Sequence, residues 1–375
     1  MTHSYTGDGY GILPRKRLNL RVENQHDSLI VFSKKLPEKT RRVIIKFVKK
    51  NAIPYSLIDN TKLNETFKKT AQEVKNIDAK SLIIIGDYKE FPMLSYDFER
   101  ETGYTDIIYE DIEKSGLPTL AVGRIYGPSQ VILAHLECVY GDTNKAIVFD
   151  TTPRRSEMPV KALESMGFYV DMLDKFKEEH ALKMEEAELI LQYSDGTECD
   201  RVHGNSYTWF GGLPKRIILS ADQMKKIKFK AYPFVFSEAC STAAFGPLLR
   251  EFLRARAIYY GSTTITINNG KECESWEECP YCDGQKYGML EMLERSKTVG
   301  EASVKVHKSL IEKLPKKLYK NYESLLKGKS KRVEQEELLG CIQFVLFGNP
   351  NRPEAVGVTK GRPKFKAGHI PIALH

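Results

Sequence analysis

The chain has 375 residues, 41% of them hydrophobic and 28% charged, with 26 glycines and 17 prolines spread without a repeat. Such a composition excludes disordered and fibrous classes, and the length calls for two sub-domains or one large α/β domain. Lysine and arginine exceed aspartate and glutamate by 57 to 49, for a net charge of +8. The basic residues are dispersed through stretches such as 34–50 and 313–320, so they read as a solvated surface, and no nucleic-acid partner is expected. No apolar run is long enough for a signal peptide or a membrane span, which predicts a soluble, cytoplasmic protein without membrane contact. Seven cysteines, an odd number, then argue for free thiols or metal ligands over a disulfide framework.

Short β-branched runs alternate with helical periods, the pattern of mostly parallel sheets flanked by helices. After an extension over 1–27, an N-terminal α/β sub-domain is expected over 28–142. Strands begin at Ser28 and Ile53 and flank a helix whose Val43, Ile44, Phe47 and Val48 share one face. Further strands begin at Ser81 and Pro118, and a helix starts near Ser129. A polar turn at Gly141 to Asn144 marks the boundary. The second sub-domain, 143–353, opens with a strand at Ala146, a helix over 159–166 and a strand at Phe168. Strands at Glu188, Arg216, Pro233 and Ala257 follow, then a helix from Val299 to Leu314 and a last strand from Cys341. Residues 271–285, rich in cysteine and without period, read as an inserted loop, and 354–375 as a basic tail.

Two segments place a reactive side chain just beyond a buried strand, at the carboxyl edge where parallel sheets carry their sites. One holds His203 and Gly204; the other ends an apolar run at Ser237, with Cys240 three residues on. Neighbouring strands would bring the two together as base and nucleophile. A thiol is only partly ionised near neutrality, and a nearby imidazole raises its reactive fraction. Attack on a carbonyl builds an oxyanion, which the amides of Gly204 and Cys240 would meet. Spacing alone leaves open the plainer reading of a structural histidine and a buried thiol.

The residues that decide between them carry a resemblance. His203, Gly204, Asn205, Ser206 and Trp209, together with Phe234 to Phe236, Ala239, Cys240 and Phe245, resemble the His-Gly and Ala-Cys motifs of the gingipain-type, caspase-like cysteine peptidases. Gly86, Asp87 and Pro92, Tyr104 to Asp106, Val122 to Arg124, Val299 to Ala302, and Phe347 to Pro350 resemble further signatures of the same family, in the same order. The resemblance spans roughly residues 28 to 352. It implies a caspase-haemoglobinase-like α/β fold in two sub-domains and cysteine endopeptidase activity on polypeptide substrates through a thioester. Cys240 would be the nucleophile and His203 the base and acid, with no cofactor required for catalysis. Trp209 would shape a nearby wall. Val202 stands where the family has glycine, the stretch 194–201 is extra, and Asn349 replaces an aspartate and is taken as structural. Asp150 and Asp200 are candidates for a carboxylate that orients the histidine.

In that fold group the loop after the strand at Ala146 lines the pocket for the residue before the scissile bond. Arg154 and Arg155 would grip an acidic side chain, whereas Asp150 or Glu157 would pair with a basic one; a merely solvated loop is the alternative. Cys273, Cys279 and Cys282 have the tight spacing of structural zinc ligands, though no fourth ligand is near, and a redox or surface loop fits as well. Cys138 and Cys341 read as core, and Cys199 as a bystander or regulatory thiol. A catalytically inactive caspase-like binding or scaffold protein is the rival from another class.

Overall fold

The computed structural model describes residues 20–21, 26–59, 62–137, 139–140, 143–149, 153–192, 207–211, 216–264, 288–291, 293 and 295–353. In chain order the strands are β1 (Leu20–Arg21), β2 (Ser28–Ser33), β3 (Tyr55–Ile58), β4 (Ser81–Ile85), β5 (Leu94–Phe98), β6 (Glu101–Thr105), β7 (Ala121–Ile125) and β8 (Val139–Tyr140). They continue as β9 (Lys145–Phe149), β10 (Tyr169–Leu173), β11 (Leu189–Gln192), β12 (Thr208–Gly211), β13 (Arg216–Ser220), β14 (Phe234–Ser237), β15 (Ile258–Ser262) and β16 (Phe344–Phe347). The helices are α1 (Glu38–Lys50), α2 (Leu63–Ile77), α3 (Ile107–Glu110), α4 (Ser129–Glu137), α5 (Pro153–Ser165), α6 (Ala181–Glu186), α7 (Ala221–Met224), α8 (Pro247–Arg254), α9 (Val299–Glu312), α10 (Lys316–Leu326) and α11 (Glu336–Ile342).

Ten strands form one sheet in the order β10-β9-β11-β14-β15-β16-β7-β4-β2-β3. Every neighbouring pair is parallel except β15 and β16. Strand direction therefore reverses once, in the middle. The carboxyl ends of β9, β11, β14 and β15 lie on one edge, and those of β2, β3, β4 and β7 on the opposite edge. The sheet runs unbroken past the polar turn near Asn144, because β16 joins the strands on either side.

Such a sheet is buried on both faces, and its strands read as continuous apolar runs for that reason. Alternate residues serve opposite layers. In β4, Leu82 and Ile84 enter one cluster with Phe67 and Val74 of α2, while Ile83 and Ile85 enter another with Ile44 and Val48 of α1. In β9, Ala146 and Val148 share the first cluster with Val306 and Leu310 of α9, while Ile147 and Phe149 pack with Leu248 and Phe252 of α8. The architecture is α/β, a mostly parallel sheet between two helical layers.

Several expected elements shift. The helix expected over 159–166 begins at Pro153, since proline is pre-organised for a helix's first turn, where its missing N-H costs nothing. Arg154, Arg155 and Glu157 are thus on the first turns of α5 and not in a loop. The strand at Arg216 lies outside the main sheet, pairing antiparallel with β12 in a two-stranded ribbon. Cys341 is buried, as read, but closes α11 with its Sγ donating to the Glu337 carbonyl at 3.2 Å, and the last strand begins only at Phe344. Burial pushes that thiol's pKa far up, the behaviour of an inert core cysteine. The α2, α10 and β5-β6 segments went unread.

Three of the other motifs, those at Val122 to Arg124, Val299 to Ala302 and Phe347 to Pro350, meet in close packing. A Cβ on Gly123 would lie 2.5 Å from the Gly348 oxygen, and one on Gly300 would lie 2.6 Å from Pro350 Cβ. Only glycine lets β7, the start of α9 and the turn after β16 approach so closely. Asn349 is buried, donates through Nδ2 to the His135 carbonyl at 3.1 Å and accepts from the Asn351 amide at 3.0 Å, a structural role.

Candidate active site at the ends of β11 and β14

The strands β11 and β14 are hydrogen-bonded neighbours in parallel, with Gln192 opposite Ser237 at their carboxyl ends. The chain leaving β11 carries His203 eleven residues later, and the chain leaving β14 carries Cys240 three residues later. The two segments therefore start side by side on one edge, the arrangement expected from the sequence. His203 and Gly204 lie outside the described residues, as do Asp150, Asp200, Cys138, Cys199 and the thiols Cys273, Cys279 and Cys282. The side chains of Arg154, Arg155 and Glu157 lie outside them too.

Around Cys240 the backbone is held from several directions. Gln192 Oε1 accepts from both the Ser237 hydroxyl and the Ala239 amide, each at 3.0 Å. The Glu238 amide donates to the Gln192 carbonyl at 3.2 Å. The Thr242 hydroxyl donates back to the Ala239 carbonyl at 3.1 Å, closing the turn over the cysteine. Ser241 takes a left-handed conformation, φ +54°, which non-glycine residues seldom adopt; its amide donates to the Thr264 carbonyl at 2.8 Å. The Ala243 amide donates to the Ser262 carbonyl at 2.9 Å, so the turn is sewn to the end of β15 along its length. Cys240 itself is 4% exposed.

Trp209, expected at a pocket wall, is fully buried in the core instead. Its ring packs edge-on to Phe149 at 5.7 Å and lies 5.2 Å from Phe252, and its Nε1 donates to the Tyr259 hydroxyl at 3.2 Å. An indole carries a large apolar area, and one buried partner for its N-H suffices to keep it inside. Burial pushes the Tyr259 phenol up to about 12, so it stays neutral beneath the Cys240 turn.

Sequence reading missed Gln192, Glu238 and the hairpin residue Glu101. Glu238 is a buried carboxyl two residues before the thiol. Glu101 is the first residue of β6, and its Oε2 accepts from the Ser241 hydroxyl at 3.3 Å and the Thr264 hydroxyl at 3.1 Å. The alternation Leu94, Tyr96, Phe98, buried at every second position, is the signal that would have found the hairpin.

Among the described residues no group of three or more His, Cys, Asp or Glu side chains is placed to hold a metal ion. No described helix is long and apolar enough to cross a membrane.

No protein-family model matches the chain, and no protein of curated function matches it. Among solved structures, a D-lactate dehydrogenase with NAD+ from Lactobacillus jensenii aligns over 82% of this chain and 98% of its own, at 12% identity and a TM-score of 0.22. A D-isomer specific 2-hydroxyacid dehydrogenase from Lactobacillus delbrueckii ssp. bulgaricus, in its NAD complexed form, covers 61% and 76% at 10% identity and 0.21. A chorismate mutase/shikimate 5-dehydrogenase fusion protein from Clostridium acetobutylicum covers 81% and 97% at 12% identity and 0.21. Overlaps this loose leave function to the chain's own residues.

Proposed function

We propose that this chain is a cysteine endopeptidase of caspase-haemoglobinase-like arrangement, with Cys240 as nucleophile and His203 as general base and acid. The observation that carries the reading is the parallel pairing of β11 with β14, from whose adjacent ends the two reactive segments depart. The order of the motifs along the chain supports it further. The Cys240 sulfur attacks the peptide carbonyl carbon while His203 takes the thiol proton, and the amides of Gly204 and Cys240 stabilise the oxyanion. His203 returns the proton to the leaving amine as the C-N bond breaks, and water then hydrolyses the thioester. Arg154 and Arg155, or Asp150 and Glu157, select the residue before the scissile bond. No cofactor enters this chemistry, polypeptides are the substrates, and the cytoplasm is the proposed location.

Cys240→Ala is expected to abolish both cleavage of a peptide library and labelling by a thiol-directed acyloxymethyl ketone. Undiminished turnover in that variant removes the proposal. One observation favours the rival, a catalytically inactive binding or scaffold member: the thiol is 4% exposed. Wild-type protein that never labels at Cys240 and cleaves no library member, combined with a partner recovered by pull-down, would favour it.

A further inference from the structure

The hairpin β5-β6 belongs to the N-terminal half of the chain, yet it reaches across to the carboxyl edge of β14 and β15. Thr263 anchors it. Its hydroxyl donates to the Tyr104 carbonyl at 2.7 Å and accepts from the Tyr104 amide at 3.2 Å, with the Tyr96 hydroxyl 3.3 Å away. Behind the hairpin, the Asp97 amide donates to the Lys331 carbonyl at 2.7 Å and the Asp97 carbonyl accepts from the Val333 amide at 2.9 Å. The hairpin is thus fixed on two sides before Glu101 makes any contact.

We infer that Glu101 is a positioning residue for Cys240. It clamps the turn that carries the thiol to the end of β15. The inference rests on the peptidase reading for its consequence in turnover, but the geometry stands by itself. One carboxylate oxygen accepts from the hydroxyl of Ser241, the residue after the nucleophile, and from the hydroxyl of Thr264, the residue two past β15. Charged acceptors make stronger hydrogen bonds than neutral ones. Two such bonds on one oxygen tie together loops that leave different strands, and Ser241 is held in a left-handed conformation at φ +54° that needs its surroundings to maintain it. A clamp of this kind acts on the reacting atom only through the backbone, so it alters the alignment of the sulfur and of the Cys240 amide without touching substrate.

Two readouts test it on the full-length protein. Glu101→Ala is expected to lower kcat on a cleavable peptide tenfold or more with KM within threefold. It should also raise the rate of Cys240 carbamidomethylation by iodoacetamide several-fold, read by peptide mass mapping, because the buried thiol loses its restraint. Glu101→Gln keeps an acceptor oxygen for both hydroxyls and is expected within threefold of wild type in both. Ser241→Ala should shift both rates in the direction of Glu101→Ala, and the double variant should be no worse than the more severe single one. Alkylation within twofold of wild type in Glu101→Ala overturns the inference. So does a Glu101→Gln variant as impaired as the alanine, or strict additivity with Ser241→Ala. If thermal melting shows Glu101→Ala unfolded, Glu101→Gln and Ser241→Ala decide. A wild-type protein that alkylates at Cys240 yet cleaves no peptide refutes the peptidase reading alone, and the alkylation rates still judge the clamp.

Discussion

Arg124 and Asp106 meet as a buried, two-pronged ion pair, Nε to Oδ2 at 2.8 Å and Nη2 to Oδ1 at 2.6 Å. They come from the two signatures Tyr-Thr-Asp and Val-Gly-Arg, separated by a helix and a loop. The remaining guanidinium nitrogen donates to the carbonyls of Gly86 and Phe91 at 2.8 and 3.0 Å, so the same arginine also holds the loop after β4. Removing one partner of a buried pair leaves an uncompensated charge, which costs about 3–5 kcal/mol. Asp106→Ala should therefore lower the unfolding free energy by that amount, read from the shift in urea midpoint at an unchanged slope on equilibrium unfolding curves. A loss below about 1 kcal/mol would mean that water reaches Arg124.

The glycine contacts give a second stability prediction. A methyl at Gly123 meets the Gly348 backbone oxygen at 2.5 Å, and backbone cannot move aside as a flexible side chain can. Gly123→Ala should cost about 1–3 kcal/mol through overpacking. Gly328 is the control: its φ is +65° and nothing lies within 4 Å of an added Cβ, so Gly328→Ala should register only the left-handed penalty of about 1–2 kcal/mol. Thermal melts of the two variants side by side would separate crowding from backbone strain.

His135 makes stability depend on pH in a stated direction. Its Nε2-H donates to the Leu253 carbonyl at 2.9 Å, and its Nδ1 lies 2.5 Å from the Tyr232 hydroxyl, which donates to it when the ring is neutral. Burial first, and Arg256 nearby, drop its pKa from 6.5 to about 4. The unfolded chain then binds a proton that the folded chain refuses. The contribution is fully present above pH 6.5 and is lost as the pH falls towards 4, by about 3 kcal/mol at most. The difference in urea midpoint between wild type and His135→Gln should shrink over that interval, and a difference that stays flat from pH 7 to pH 4.5 would contradict the neutral ring.

For the proposed chemistry, His203→Ala should reduce kcat by about 10²–10⁴-fold, the usual range for a general base and acid. Rapid single-turnover measurements would check whether acylation is the step that slows. Trp209→Phe offers a contrast. Because the indole is core and its N-H serves Tyr259, the change should lower stability by about 1–3 kcal/mol while leaving KM within twofold.

Much of this could be read from residues alone, and the failures have physical causes. The strands at Ser28, Ser81, Ala146 and Pro233 announce themselves as unbroken apolar runs because both their faces are covered. The helix α2 hides because two of its four buried residues are Thr66 and Thr70, which dilute its apolar period. The reversed direction of β16 and the separate β12-β13 ribbon depend on long-range pairing that no local pattern encodes. At the site, the adjacency of β11 and β14 was anticipated from two strand ends. The grip of Glu101 was not, since it depends on a hairpin 140 residues earlier in the chain than Ser241.

The placement of β16 bears on how the molecule comes into being. Its four residues, Phe344–Phe347, sit between β15 and β7, so on the ribosome the sheet stays in two unjoined pieces until those residues have emerged. Each piece then exposes a raw edge, β7 on one and β15 on the other, and such edges recruit foreign strands. A nascent chain stalled short of Phe344 would accordingly be a client for chaperones, and β15, to which the Cys240 turn is sewn, would gain its second neighbour only once Phe344–Phe347 had emerged.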